Sequence, residues 1–120
     1  MKIIIDFIPH HEQRYRTVGD WFWKAEELHI RVSLLSSVYL SCLIAIHELF
    51  EAIWCKKNRV NENAVDDFDE VFETARKSGD LSEPGDDPMA PYYEGHQIST
   101  TIEHVACLGL GEDRGEYGKE

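Results

Sequence analysis

One stretch of this chain decides what the rest must do. Between Val38 and Trp54 the residues are apolar on almost every side, with Leu40, Leu43, Ile44, Leu49, Phe50 and Ile53 among them. Ser36 or Ser37 can cap a helix there, and Lys56-Lys57 suit its C-terminal end, so the helix is expected to run to about Cys55. A helix that is apolar all round belongs in a core, with other elements covering it. The longest apolar stretch, about Val38 to Ile46, is too short to span a bilayer and meets His47, Glu48 and Glu51 at once. No membrane span is therefore expected.

Polar side chains in a buried helix are costly unless they are paired or bind something. The stripe Leu40, Ile44, His47, Glu51 lies along one side of the helix and turns polar at the histidine. His47 and Glu51 are one turn apart, so both side chains can reach one point, as two helix residues do when they clasp a metal ion. A third ligand must come from elsewhere. His96 is the first candidate, with Glu103 nearly eclipsed beside it on a helix expected over about Tyr92 to Leu108. Ile98, Ile102, Val105 and Ala106 are expected to form the core face of that helix. His96 and Glu103 then fall at its edge, which also fits a solvated flank. Asp86, Asp87, His29 and His10-His11 are weaker candidates, and Trp21-Phe22-Trp23 reads as core and edge packing.

The N-terminal third has strand chemistry. Lys2 to Ile8 is β-branched and aromatic and is stopped by Pro9. Asp20 to Trp23 and Leu28 to Ser33 read as two further strands, the second alternating Leu28, Ile30, Val32 against His29, Arg31, Ser33. Lys24 to Glu27 closes a hairpin in this reading; a helix through Trp21 to Val32 is the competing one. Asn61 or Asn63 can cap another helix carrying Val65, Phe68, Phe72 and Ala75, with Gly79 as its stop and Asp66, Asp69, Glu70 and Glu73 on a solvated face. Asp80 to Pro91 is a long loop. Residues 109–120 are Gly-rich and charged, an expected loose tail. With 120 residues, 42% of them hydrophobic, one domain with a real core is expected over 1–120. The fold class is α+β: a small N-terminal antiparallel sheet packed on about three helices, with the central helix buried.

Charge and cysteines bound the partners. Twelve basic against 23 acidic residues leave −11 at neutral pH, a surface that repels nucleic acid and anionic membranes. A metal ion, a small molecule, a peptide or a basic protein partner fits better. Cys42, Cys55 and Cys107 are odd in number without CxxC spacing, which points to a reduced, cytoplasmic protein. Nothing in the sequence sets the oligomeric state.

The strand at Leu28 to Ser33 followed by the helix carrying His47, Glu48 and Glu51 resembles the order in zincin-type metallopeptidases, whose helix carries HExxH. Here Glu51 stands where that pattern has its second histidine, giving HExxE. The resemblance covers roughly residues 28–55. It implies zinc held by His47 and Glu51, with Glu48 as general base; His96 or Glu103 would complete the shell of a metal-dependent hydrolase. A second resemblance rests on the ExxE pair Glu48 and Glu51 with the carboxylates Asp66, Asp69, Glu70 and Glu73. It is similar to MazG-type nucleoside triphosphate pyrophosphatases, and implies an all-helical bundle using magnesium. The segment Gly85-Asp86-Asp87-Pro88-Met89-Ala90-Pro91-Tyr92-Tyr93, together with the His47-Glu48 helix, resembles small uncharacterised proteins of bacteria and their phages, which implies no activity. The non-enzymatic reading is an acidic interaction protein, such as a phage accessory factor, with an exposed apolar patch at Trp21, Trp23 or Tyr92-Tyr93.

Overall fold

The computed structural model describes residues 1–113. Three strands form one sheet: β1 (Lys2–Ile8), β2 (Gly19–Lys24) and β3 (Glu27–Ser33). Three helices follow: α1 (Val38–Lys57), α2 (Glu62–Ala75) and α3 (Tyr93–Leu110). The α+β class and the central helix are as the sequence predicts, and the sheet excludes the all-helical bundle implied by the pyrophosphatase resemblance.

The sheet is mixed rather than antiparallel throughout. Its order is β1-β3-β2, with β3 antiparallel to β2 and parallel to β1. The chain reverses twice. Residues 9–18 carry it from β1 to the far edge, and the turn at Ala25-Glu26 brings it back between the other two. Ala25 takes a positive φ of 56° in that turn, the conformation for which the linker offers no Gly or Asn. Leu28, Ile30 and Val32 of the central strand have no exposed surface, so the alternation read from the sequence is the packing face. Burying each of these side chains contributes roughly 1.5–3 kcal/mol.

That face meets α1. The Ser37 side chain accepts the Tyr39 N–H and caps the helix. Ser41 Oγ donates to the Ser33 carbonyl and accepts the Leu35 N–H, which ties the end of β3 to the first turn of α1. By length and apolar composition α1 could cross a membrane, contrary to the reading of its shorter apolar run, but half of it is buried inside the protein. Its buried residues face the sheet and α3, and His47 and Glu51 lie among them.

The last helix is turned about its axis from the expected orientation, which leaves Ile102 and Ala106 half-buried at the edge of the buried face. Its buried residues are Gly95, His96, Ser99, Glu103 and Cys107, whereas Ile98 and Val105 are 40% and 66% exposed. The physical reason lies in its neighbour: α1 presents His47 and Glu51 to α3, and buried polar groups need polar partners. Gly95 lets the helices approach closely, since a Cβ there would stand 2.5 Å from the Trp54 ring. Residues 109 and 110 close α3 and Gly111 caps it at φ 69°; the rest of the expected tail lies largely outside the described residues.

Candidate metal centre

Four buried polar residues meet where α1 faces α3. His47 and Glu51 come from successive turns of α1, and His96 and Glu103 from α3; each is 4–6% exposed. His47 Nε2 stands 3.2 Å from His96 Nδ1 and 3.3 Å from Glu51 Oε2, and His96 Nδ1 stands 2.9 Å from the same Glu51 oxygen. Three donor atoms thus form a triangle with edges of 2.9–3.3 Å. Ligand atoms about 2.0–2.1 Å from a tetrahedral zinc ion lie about 3.3 Å apart, so the triangle has the dimensions of one face of such a shell. His47, Glu51 and His96 fit zinc by donor type as well as by spacing.

The surroundings orient these donors. Glu103 Oε1 accepts from His47 Nδ1 at 2.9 Å, which fixes the tautomer that leaves Nε2 for the centre. Trp21 Nε1 donates to Glu51 Oε1 at 3.0 Å, leaving Oε2 to face the histidines. Glu103 therefore sits behind His47 rather than at the triangle, a placement different from its candidacy as a ligand. The sequence offers Trp21 for packing or for an exposed apolar patch; the indole N–H gives it a different task that no spacing in the sequence reveals.

Burial opposes the charged form of His47, but the carboxylates of Glu103 and Glu51 outweigh it and lift its pKa to about 11. His96 is likewise raised, burial being outweighed by Glu51 and Glu83. Glu51 is held down at about 2: both histidines outweigh its burial. Two rings facing each other at 3.2 Å have room for one proton between them. At neutral pH the pair therefore carries a proton, which a bound ion would have to displace.

Glu48 follows His47 and lines the same cavity, which has a volume of about 600 Å3. Burial and the charge of Glu51 push its carboxyl well above the usual range. Its packing partner is Gly19, where a Cβ would stand 2.5 Å from Glu48 Oε1 and 2.7 Å from Ile44 Cγ2. Across the cavity Asp69 accepts from Tyr15 at 3.1 Å and from Tyr92 by a short hydrogen bond. Asp69 is buried, so the acidic face of α2 is not solvated throughout as expected. Burial raises its pKa to about 7.

The weaker candidates separate. Asp86 reaches the site, 3.2 Å from His96 Nε2, and so does Glu83 at 3.0 Å, which the sequence reading missed. Asp87 instead accepts the Met89 N–H. His29 stacks on Phe22 in the sheet, His10 bonds to Ser33 Oγ, and His11 is exposed. Trp21 and Tyr92 are buried and do not form the apolar patch expected for an interaction protein. The large exposed apolar residues lie elsewhere, Ile3, Ile5 and Phe7 of β1 among them.

No protein-family model, curated protein or solved structure matches this chain.

Proposed function

We propose that this protein is a zinc-dependent, zincin-like hydrolase acting on a small molecule or peptide. The observation that carries the reading is the triangle of His47 Nε2, His96 Nδ1 and Glu51 Oε2, sized for one face of a zinc shell. Three protein ligands leave a fourth position, the pattern of catalytic rather than structural zinc. When bound, zinc supplies Lewis acidity and makes water easier to deprotonate.

The chain's own residues do the rest. Glu48 takes a proton from the attacking water and returns it to the leaving group as the scissile bond breaks. Glu103 holds the His47 ring through Nδ1, and Trp21 holds Glu51. The cavity beside them leaves room for a substrate. Cys42, Cys55 and Cys107 are all free thiols, which supports a reducing, cytoplasmic location.

The test is elemental analysis of the untagged protein beside His47→Ala, with circular dichroism to confirm that the variant folds. One zinc per chain in the parent and none in the variant is expected. The parent is then assayed on ester, peptide and phosphoester panels beside Glu48→Gln, which should keep its zinc and lose roughly 10²–10⁴-fold in rate. A parent that takes up no zinc when zinc is added ends this reading.

A further inference from the structure

The far side of His96 poses a separate question. Nε2 is buried in a side chain only 6% exposed, and it makes no hydrogen bond among the described residues. Yet Glu83 Oε2 lies 3.0 Å away and Asp86 Oδ1 3.2 Å away. Both oxygens are within reach but off the direction of a ring N–H.

That geometry is poor for a hydrogen bond and good for an ion. Adjacent ligands of a six-coordinate divalent cation, with bonds of about 2.1 Å, lie about 3 Å apart and about 45° off each other's axis toward the ion. A carboxylate oxygen so placed is too bent to accept a straight hydrogen bond from the ring.

The local backbone builds the pair of carboxylates. Glu83 leads into a 3-10 turn over Pro84–Asp86, and residues three apart eclipse in such a turn. The Glu83 N–H donates to Asp86 Oδ2 at 3.4 Å, and Oδ1, which accepts from Gln97 Nε2 at a long 3.5 Å, faces His96. Gly85 lets the turn lie against the imidazole; a Cβ there would stand 2.5 Å from His96 Nδ1. The Glu83 and Asp86 side chains are 58% and 50% exposed, so an ion has a way in from solvent and water can fill its other positions. Charge argues the same way. Glu48, Glu51, Glu83, Asp86 and Glu103 outnumber the two imidazoles they surround.

We infer that Glu83, Asp86 and His96 Nε2 form a second divalent-cation site, next to the His47 centre and sharing the His96 ring with it. Two carboxylate oxygens and one nitrogen suit a hard or borderline ion such as manganese. With both sites filled the ring bridges them as an imidazolate, its Nε2 proton leaving to solvent as the second ion binds.

The experiment is a manganese titration of the full chain already loaded with one equivalent of zinc, with free manganese read by electron paramagnetic resonance. The parent should bind one manganese beyond its zinc. Glu83→Gln/Asp86→Asn should bind manganese at least tenfold more weakly and keep its zinc; both positions are exposed, so folding should survive. His47→Asn should lose zinc and keep manganese. No manganese bound by the parent beyond the His47 centre overturns the inference, as does equal binding by the Glu83/Asp86 variant. A parent that takes no zinc yet binds manganese through Glu83 and Asp86 supports this site while ending the hydrolase reading, so the two failures are distinguishable.

Discussion

His47 and His96, on different helices and 49 residues apart in the chain, turn ring nitrogens toward each other at 3.2 Å. The Glu51 carboxylate closes the triangle. Such a pair must hold a proton or an ion between its rings. That choice sets the first prediction. The raised histidine pKa values mean that zinc must displace a proton at neutral pH. Apparent zinc affinity should therefore rise with pH, about tenfold per unit for one displaced proton between pH 6 and 8. Competition with a chromophoric chelator at each pH measures it, and a flat profile would refute the proton–ion exchange.

Glu103 acts through His47 Nδ1, at 2.9 Å. Glu103→Gln keeps an acceptor there and removes the charge. Zinc affinity should fall roughly 10–100-fold, with the fold intact. The same chelator competition reads the change, and the thermal melt checks the fold.

Two glycines separate site geometry from backbone strain. Gly85→Ala places a methyl group against the His96 ring and should weaken zinc binding at least tenfold. Gly79 has a positive φ of 85° with nothing near its missing Cβ. Gly79→Ala should cost about 1–2 kcal/mol of stability and leave zinc affinity unchanged. Equal zinc affinities in the two variants would count against the packing of Gly85 on His96.

Asp69 gives a pH signature of its own. Its folded pKa of about 7 lies above the ordinary aspartate value, so the folded state favours the proton. Its contribution to stability is therefore lost as pH rises from about 4 to about 7, and the penalty stays constant above that. Asp69→Asn keeps an oxygen for Tyr15 and Tyr92 and carries no charge. Metal-free variant and parent should melt together near pH 4, and the variant should melt several degrees higher at pH 8. A parent that is the more stable of the two at pH 8 would contradict the shift.

Much of the architecture was legible because it rests on local pattern. The run at Lys2–Ile8, the alternation of Leu28, Ile30 and Val32, the caps at Ser37 and Asn61 and the apolar wrap of α1 each express a period or a side-chain hydrogen bond within a few residues. Pairing partners are another matter. The parallel β1–β3 ladder depends on where the polar segment 9–18 carries the chain, and polar residues encode little about direction.

The orientation of α3 was legible least. Its apolar residues suggest one buried face, and the helix buries the adjacent one, centred on His96, Ser99 and Glu103. Burying Ile98 and Val105 would have left His47 and Glu51 without polar partners, and unpaired buried polar groups cost more than a few exposed apolar side chains.

By itself, then, the sequence determined that a helix bearing His47 and Glu51 one turn apart lies in the core of an α+β chain, because helical period and hydrophobicity are local properties. Only the tertiary structure decided that His96 completes the triangle, that Glu103 and Trp21 stand behind it, and that Glu83 and Asp86 lie against its far nitrogen. Those relations join residues from separate elements, and they follow from how buried polar groups find partners across a packed interface.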